Sequence, residues 1–282
     1  MRILFWNCQG IDNPDTVGSI RLLTSRYKPE LMVISEPKII SLKLGSLFSS
    51  RGYGIVGTNQ AVPNPDTLWL LVHNSVAAIF HEDNHIITCS FLVSVRKMFR
   101  SIVYAYNNYI DRRLLWDQIK QFSSSLMGPW IIAGDFNSIL HANENIGVVV
   151  NVNSIKDFRD GIEGANLTKI NLIGTKFTWY RRHLNGMRAS RIDRSFVNEA
   201  SLGFWKSISC VTLEKHNSDH HPILVSLINS ESKLPIPFRF YNAWAPLPDY
   251  SKIIQEIWPS SSSNANPLIC ISKLKMLKIK LK

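Results

Sequence analysis

The sequence lacks the features that mark secreted, membrane-spanning or fibrous proteins. Its 282 residues include only four cysteines, which stand far apart at Cys8, Cys89, Cys210 and Cys270. This spacing matches neither a zinc site nor a disulfide framework. No apolar run approaches the roughly 18–20 residues of a membrane-spanning helix, and the N-terminus carries no secretory signal. We therefore expect an intracellular protein of a reducing compartment with no membrane partner.

Acidic residues are scarce relative to basic ones. The chain has 32 Lys and Arg against 21 Asp and Glu, and the net charge of +11 divides into +6 for residues 1–229 and +5 for residues 230–282. A basic balance in both parts favours a polyanionic partner, although many basic proteins bind nothing acidic. With 45% hydrophobic residues, eight Trp and thirteen Phe, the chain can build a sizeable core, which excludes disorder and coiled coil.

Short β-rich apolar runs alternate with a few amphipathic stretches as far as residue 229. The predicted strands are Ile3–Trp6, Leu31–Ser35, Leu68–Val72, Val76–Phe80, Ile102–Tyr106, Ile131–Gly134, Phe177–Tyr180, Ile192–Val197 and Ile223–Leu227. The first predicted helix starts after Pro14-Asp15 and ends before Pro29. Two more predicted helices span Asp111–Leu126 and Ser154–Asn166. Many short strands and few helices predict two packed sheets flanked by helices.

Finer features of the helices follow from side-chain spacing. In Asp111–Leu126 the residues Leu114, Leu115, Ile119, Phe122 and Leu126 are expected on one buried side. Ser154 is the expected N-cap of the third helix. After residue 229 the prolines at 235, 237, 246 and 248 predict a surface linker, Ser260–Ser263 a flexible stretch, and the Lys-rich end from Lys273 a frayed or truncated basic tail.

Several polar residues stand where predicted strands end, which is where sites form in layered α/β proteins. They are Asn7, Glu36, Tyr104, Asp135, Asn137, Asp193, Asp219 and His220. Each of them alone has an ordinary structural explanation, as a turn residue, a core tyrosine or a structural histidine. The strings Gly-Asp-Phe-Asn and Ser-Asp-His-His-Pro are moderately specific.

Taken together and in this order, these residues resemble the endonuclease/exonuclease/phosphatase family, which includes apurinic/apyrimidinic endonucleases and pancreatic-type deoxyribonuclease. The resemblance covers residues 1–229. It implies a nuclease domain with the family's fold, a four-layer α/β sandwich of two packed mixed β-sheets flanked by helices, and it leaves residues 230–282 as a linker and tail.

The resemblance also implies a role for each residue. Glu36 would be the main carboxylate ligand of a Mg²⁺ ion (Mn²⁺ being an alternative), with Asn7 beside it. Asp219 would lie near the metal or near His220. One family feature is missing, because Gln9 stands where the family often has an acidic residue, and this change is expected to weaken metal binding.

The remaining roles concern the phosphate. Asp135 would orient or deprotonate the attacking water, while Asn137 and Tyr104 would contact the phosphate or the leaving group. His220 would donate to a phosphate oxygen, and Asp193 would accept from its other ring nitrogen. Whether Asp135 or His220 is the base stays open at this point.

Within the family, the chain is most similar to the endonuclease domain of plant LINE-type (non-LTR) retrotransposons. The strings that carry this likeness are Phe5–Gly10, Ser35–Lys38, Arg112–Asp117, Gly174–Trp179, Ser190–Arg194 and Pro237–Trp244. Since no Ala-Asp-Asp polymerase string occurs, the chain looks like an N-terminal fragment of such an element. The resemblance implies DNA as the partner, and a location in the nucleus or cytoplasm.

A basic stretch is expected to meet the DNA backbone, as the corresponding hairpin does in the family. Its members are Lys176, Arg181, Arg182, Arg188, Arg191 and Arg194. The alternative is a solvated, charged hairpin. Trp179 and Tyr180 could wedge or stack on bases, or could equally belong to the sheet core.

Three functions are therefore weighed. The leading hypothesis is a Mg²⁺-dependent endonuclease that hydrolyses one DNA phosphodiester bond and leaves a 3′ hydroxyl. The second is a catalytically degenerate relic that binds DNA without cutting, which Gln9 and the missing polymerase suggest. The third is a phosphatase of the same fold acting on lipid or inositol phosphates, for which no supporting segment is found.

Overall fold

The structure is a computed structural model of the chain. It describes residues 1–39, 45–59, 66–74, 77–93, 95–183, 186–229, 246, 248–258 and, near the C-terminus, 273, 274, 276, 277 and 280. The chain divides into two compact units, Met1–Ser230 and Glu231–Lys282. No helix among the described residues is long and apolar enough to cross a membrane.

The first unit contains two large mixed sheets and one small one. The strands are β1 Arg2–Asn7, β2 Leu31–Ser35, β3 Tyr53–Thr58, β4 Leu68–His73, β5 Ala78–Glu82, β6 Ile86–Val93, β7 Arg96–Tyr104, β8 Trp130–Asp135, β9 Asn145–Ile146, β10 Thr168–Lys169, β11 Leu172–Ile173, β12 Trp179–His183, β13 Gly186–Ser190, β14 Asp193–Val197, β15 Ser207–Thr212 and β16 Ile223–Ile228. The first sheet has the order β11-β15-β16-β1-β2-β4-β3, the second β10-β14-β8-β7-β6-β5 and the small sheet β12-β13-β9.

In the described part of the first unit, five α-helices accompany these strands. They are α1 Pro14–Tyr27, α2 Gly45–Ser49, α3 Arg112–Ser125, α4 Val152–Gly164 and α5 Glu199–Phe204. Two of them cross over between parallel neighbours: α1 joins β1 to β2, and α3 joins β7 to β8. Parallel strands need such a crossover, and both strands of each pair then end at the same edge of the sheet.

Alternation along β1 explains the layers. Ile3 and Phe5 belong to the core between the two large sheets, while Leu4 and Trp6 face the other way, into a second core with Ile20 of α1. A third core lies where α3 and α4 cover the second sheet. The order of layers is therefore helix, sheet, sheet, helix, and the expected four-layer α/β sandwich is confirmed.

Two helical expectations were wrong in detail. Leu115, Ile119, Phe122 and Leu126 are buried as expected, but Leu114 of α3 is 74% exposed. Trp116, which was not expected there, belongs to the buried face of this helix. The N-cap of α4 is Asn151 and not Ser154. The carboxamide of Asn151 accepts the N–H of Ser154 three residues later, at 3.0 Å, which is the usual reach of a capping side chain.

Strand bounds also differ from the expectation. Val76 lies outside the described residues, and β5 runs from Ala78 to Glu82. The aromatic string predicted at Phe177–Tyr180 becomes a strand only from Trp179 onward. Cys8, Cys89 and Cys210 are buried free thiols, whereas Cys270 lies outside the described residues.

The second unit contains a helix where the sequence predicted a linker. This helix, α6, spans Pro248–Ile257. Proline is tolerated at the first position of a helix, where its missing N–H is not needed and its fixed φ suits the helix. Pro248 therefore begins a helix and does not mark a loop. The string Pro237–Trp244 and the stretch Ser260–Ser263 lie outside the described residues, as do Pro235 and most of the Lys-rich end.

Candidate active site

The predicted site residues meet at one edge of the two large sheets. Asn7 ends β1 and is paired in register with Ser35, the residue before Glu36. On the other sheet Tyr104 and Asp135 end the parallel strands β7 and β8 in register with each other. Ligand sites of α/β sheets form beyond the carboxyl ends of such strands.

Asp193 and His220 reach the same edge from antiparallel segments. Asp193 opens β14 directly opposite Asp135, and His220 lies in the segment that leads into β16. His220 is fixed by its own backbone, whose N–H donates to Ser218 Oγ at 3.0 Å. The Ser218 hydroxyl in turn donates to the carbonyl of Asn7 at 2.7 Å. Four distant segments of the chain are thus held at one place.

The backbone is strained where these side chains leave the strands. Glu36 (φ 49°), Asn137 (φ 46°) and Gln9 (φ 52°) adopt left-handed conformations, which non-glycine residues rarely do and which cluster at functional sites. Gly134 is required beside Asp135, since a Cβ there would lie 2.0 Å from the carbonyl oxygen of Val103.

We call Asn7, Glu36 and Asp219 the acceptor group because each brings a side-chain oxygen to this edge, Asp219 from beside His220, whose Nε2 lies 3.8 Å from Asp219 Oδ1. Asn7 Nδ2 donates to Glu36 Oε1 at 2.9 Å, and the Tyr104 hydroxyl donates to the same oxygen at 2.9 Å. Burial, reinforced by the charge of Glu36, raises the pKa of Tyr104. Its phenol therefore stays protonated and remains a donor.

The acceptor group suits a divalent cation with oxygen ligands. Asn7 is fully buried, yet its Oδ1 finds no hydrogen-bond partner among the described residues, and the same holds for Asp219 Oδ1. A buried acceptor without a partner costs free energy unless something else binds it. A hard cation such as Mg²⁺ prefers carboxylate and amide oxygens and needs few of them, since it keeps several waters. Asn7, Glu36 and Asp219 fit that requirement.

Asp135, Asp193 and His220 form what we call the acid–base group. His220 Nδ1 lies 3.0 Å from Asp193 Oδ2, and His220 Nε2 lies 3.8 Å from Asp135 Oδ2. All three residues are at least 97% buried. Asn7 Nδ2 also donates to Asp135 Oδ2 at 3.3 Å, so the acceptor and acid–base groups are in direct contact.

Burial and charge shift the pKa values of this group. Burial alone would lower the pKa of His220, but the carboxylate of Asp193, helped by Asp135 and Asp219, raises it to about 9. Burial, together with the nearby Asp193, raises the pKa of Asp135 to about 7, against the opposing effect of His220. His220 is consequently protonated at neutral pH, while Asp135 exchanges its proton there.

These three residues could in principle hold a metal themselves, since each offers a ligand atom within 4.8 Å of the others. Two observations argue for the acceptor group instead. Asp193 already accepts from His220, and a protonated imidazole repels a cation and offers no lone pair. The acceptor group, in contrast, has oxygens without partners among the described residues.

Two hydrogen bonds of the site were not predicted from the sequence. Trp179 Nε1 donates to Asp219 Oδ2 at 2.9 Å, and Thr178 Oγ1 accepts the backbone N–H of Asp193 at 3.0 Å. Trp179 is half-buried, so neither base stacking nor sheet core describes it fully. No sequence signal predicts these bonds, because they join strands far apart in the chain.

Asn137 is held by hydrogen bonds to neighbouring segments. Its Nδ2 donates to the carbonyl of Ala105 at 2.7 Å, and its N–H donates to Asp135 Oδ1 at 2.9 Å. Its direct contribution is thus to orient Asp135. A role in holding the phosphate stays a prediction. Gln9 is exposed, and its expected weakening of metal binding stays a prediction as well.

The basic residues separate into two sets. Arg181 and Arg182 on β12 and Lys176 before it are exposed, and Arg188 on β13 is partly exposed. Arg194 is only 4% exposed and forms an ion pair with Glu144. Its assignment to DNA contact was therefore wrong, because a buried and paired guanidinium cannot reach a phosphate.

Arg191 lies between these two sets. Its side chain is mostly buried, and its Nη1 lies 4.0 Å from Glu144 Oε1. This pairing was not predicted from the sequence. Glu144 ends a short 3-10 turn that starts at Ala142. DNA contact by Arg191 stays a prediction.

Comparison with known proteins agrees with this geometry. The sequence pattern of the Endonuclease/Exonuclease/phosphatase family matches residues 4–220, which span all eight predicted site residues. The chain belongs to this family. A search of curated protein sequences finds no significant match.

Solved structures with the same fold include several nucleases. The endonuclease domain of TRAS1, a telomere-specific non-LTR retrotransposon, is 16% identical, with a TM-score of 0.64 over 80% of this chain and 97% of that domain. The 3′-5′ exonuclease NExo of Neisseria meningitidis is 17% identical (TM-score 0.63; 81% and 100% covered). An AP endonuclease of Archaeoglobus fulgidus is 12% identical (TM-score 0.62; 80% and 99% covered). At these identities the likeness concerns the fold.

Proposed function

We propose that this chain is a divalent-cation-dependent DNA endonuclease that hydrolyses one phosphodiester bond and leaves a 3′ hydroxyl. One observation carries the proposal: the acceptor group and the acid–base group form a continuous series of contacts. Glu36 contacts Asn7, Asn7 contacts Asp135, and Asp135 lies 3.8 Å from His220. A cation site and a proton donor are thus close enough to act on one phosphate.

We propose Mg²⁺ as the cation, held by Glu36 with Asn7 and Asp219. When bound, it would polarise a phosphoryl oxygen and stabilise the charge on the leaving 3′ oxygen. Tyr104 shares Oε1 of Glu36 with Asn7, and it would orient this carboxylate. Mn²⁺ accepts the same ligands and is expected to substitute.

We assign the base to Asp135 and the acid to His220. A general base works best when its pKa lies near the operating pH, and the pKa of Asp135 is raised to about 7. Asp135 takes the proton of the attacking water, the water oxygen bonds to phosphorus, and the bond from phosphorus to the 3′ oxygen breaks. The 3′ oxygen then takes a proton from solvent water and becomes the 3′ hydroxyl. His220, protonated and held by Asp193, donates to a non-bridging oxygen of the phosphate and stabilises the developing charge.

DNA is the proposed substrate because exposed cations lie beside this site. Strand β12 carries Arg181 and Arg182 and is joined directly to the site, since the N–H of Tyr180 donates to the carbonyl of Asp219 at 2.9 Å. Contacts of this kind determine affinity and salt dependence and do not select a sequence.

We further propose that residues 1–229 are the nuclease domain of a plant LINE-type retroelement that nicks its target site in the nucleus. The likeness in fold to the TRAS1 endonuclease domain supports the retroelement context. The plant assignment rests on the strings around Asn7, Glu36 and Asp193.

A plasmid assay tests the proposed function. The full chain with Mg²⁺ is expected to convert supercoiled plasmid to the nicked circle, and a DNA polymerase should extend the nick directly because it carries a 3′ hydroxyl. EDTA, Glu36→Gln and Asp135→Asn should each abolish nicking, while Lys206→Gln, far from these residues in sequence, is the matched surface control.

The alternatives predict other results. A wild type that binds DNA yet nicks no better than Asp135→Asn would be a relic that has lost catalysis. Release of inorganic phosphate from an inositol polyphosphate, without plasmid nicking, would indicate a phosphatase. Either result would overturn the proposed function.

A further inference from the structure

The indole of Trp179 is bonded to the carboxylate of Asp219. Trp179 Nε1 donates to Asp219 Oδ2 at 2.9 Å. The backbone reinforces this contact, because Trp179 is bridged to His220 in antiparallel fashion, and the N–H of His221 donates to the carbonyl of Thr178 at 2.7 Å. Ring and backbone of Trp179 thus hold the same short segment.

The two oxygens of Asp219 have different surroundings. Oδ2 receives the indole N–H, whereas Oδ1 is buried, lacks a hydrogen-bond partner among the described residues and lies 3.8 Å from His220 Nε2. That distance is too long for a hydrogen bond, since charge-assisted N–H···O bonds are about 2.7–2.9 Å long. The carboxylate therefore stops about 1 Å short of the imidazole.

A rotation of the Asp219 side chain that brings Oδ1 about 1 Å closer to Nε2 would close this gap. A carboxylate beside a buried, protonated imidazole gains a strong hydrogen bond when it reaches bonding distance. In that arrangement His220 Nε2 would donate to Asp219 and could no longer donate to a phosphate. In the same arrangement Oδ1 would be engaged by the imidazole and less available to a cation.

We propose that Trp179 is a positioning residue that holds Asp219 apart from His220 Nε2. The inference rests on the proposed function, because His220 Nε2 must be free to meet the phosphate. The indole N–H holds one carboxylate oxygen and so keeps the other 3.8 Å from His220 Nε2 and available to the cation. The ring itself touches neither substrate nor cation in this role.

Steady-state nicking of a fixed duplex at varied DNA concentration distinguishes positioning from base stacking. Trp179→Phe keeps an aromatic ring and removes the N–H, so kcat is expected to fall by about tenfold to a hundredfold, the cost of misplacing a group by about 1 Å, while KM changes little. A residue that stacked on bases would raise KM instead. Trp205→Phe is the matched control, since the buried Nε1 of Trp205 has no hydrogen-bond partner among the described residues.

A double-mutant cycle tests the path of the effect. The carboxamide introduced by Asp219→Asn carries no charge and cannot form an ion pair with His220, so adding Trp179→Phe to this variant should have no further effect. Independent, multiplicative losses would overturn the positioning role. So would a Trp179→Phe variant with the kcat of the wild type.

A readout without turnover completes the test. In a ¹H–¹⁵N spectrum of the full chain, the indole resonance that disappears in Trp179→Phe should move in Asp219→Asn and stay in place in Glu214→Gln. If the chemical shift of this indole resonance does not change in Asp219→Asn, the inference is overturned even if nicking is observed. A wild type that nicks no DNA while the resonance moves as expected would overturn the proposed function and, with it, the positioning role.

Discussion

The two central strand pairs, β1–β2 and β7–β8, have the same construction and end in different chemical environments. Each is a parallel pair joined by one helix. Beyond β1–β2, Asn7 keeps a buried acceptor without a partner among the described residues. Beyond β7–β8, Asp135 accepts from Asn137 and faces the imidazole of His220. One end is therefore suited to receive a cation, and the other to move a proton.

The fold thus uses the same backbone arrangement twice, a parallel strand pair with one crossover helix, for two different chemical roles. Similar backbones bring polar side chains to one edge, and their environments then give them separate roles. The largest consequence concerns His220, whose raised pKa depends on Asp193. Variants at the two ends should therefore differ in their effects on proton transfer and on metal binding.

Removing the imidazole should have the largest effect on nicking. His220→Ala deletes the proton donor and leaves Asp193 buried without its partner, so the nicking rate should fall by about 10²–10⁴-fold, the usual contribution of general acid–base catalysis. Single-turnover rates on plasmid measure this. His216→Gln, a half-buried histidine packed on Trp6, is the control, and an equal loss there would show that the effect is not specific to the site.

Changing the acceptor group should weaken metal binding more than proton transfer. Glu36→Gln keeps the shape of the side chain and removes its charge, and an affinity loss of at least about tenfold to a hundredfold is expected. Titration with Mn²⁺ followed by magnetic resonance measures it. Excess Mn²⁺ should restore part of the nicking rate, whereas no amount of metal should rescue His220→Ala. Rescue of both variants would remove the distinction between the two ends.

The pH profile should report the acid–base group. Asp135 must lose its proton and His220 must keep its own, so nicking is expected to be maximal between their pKa values of about 7 and about 9. Because Asp193 raises the pKa of His220, Asp193→Asn should move the alkaline limb of the profile down, towards the ordinary value for histidine. An alkaline limb that stays in place would contradict the assignment of His220 as the acid.

Stability should follow pH with a sign set by the same shift. The pKa of His220 is higher in the folded protein than in the unfolded chain, so its contribution to stability is complete below about 6.5 and disappears as the pH rises through about 9. Urea unfolding of the wild type and of His220→Ala across this window measures the contribution. A difference that grows with rising pH would contradict the shift.

The smallest effects on chemistry should come from the arginines around the site. Arg181→Gln should reduce DNA affinity and lower the salt slope by about 0.9 per lost phosphate contact, with little change in stability. Arg194→Gln should do the reverse, since removing one partner of a buried ion pair costs about 3–5 kcal/mol. Salt titrations of DNA binding and urea unfolding measure the two. A salt slope unchanged in Arg181→Gln would remove the hairpin from the DNA interface.

Much of the fold could be predicted because the core strands are buried on both faces. Such strands appear as nearly continuous apolar runs, as at Leu31–Ser35 and Ile131–Gly134. Strand β6 escaped prediction because Thr88, Cys89 and Ser90 interrupt its apolar run, although all three side chains are buried. Strand β13 carries no alternation that sequence alone could detect.

The site residues could be predicted from the sequence, but the contacts between them could not. Their order along the chain and the likeness to a family singled out Glu36, Asp135 and His220, while the contacts that tune them depend on three-dimensional packing. The bond from Trp179 to Asp219 and the pairing of Arg194 with Glu144 link residues 40 and 50 positions apart. Arg194 was assigned to DNA contact because of its charge, and its ion pair with Glu144 cannot be predicted from the sequence.

Mn²⁺ binding to Glu36→Gln and to His220→Ala, measured together with their nicking rates, tests whether one end binds the cation and the other transfers the proton. If the two ends have separate roles, Glu36→Gln loses both metal binding and nicking, while His220→Ala loses nicking and binds Mn²⁺ like the wild type. Loss of Mn²⁺ binding in His220→Ala, with binding intact in Glu36→Gln, would place the metal among Asp135, Asp193 and His220 and contradict the account.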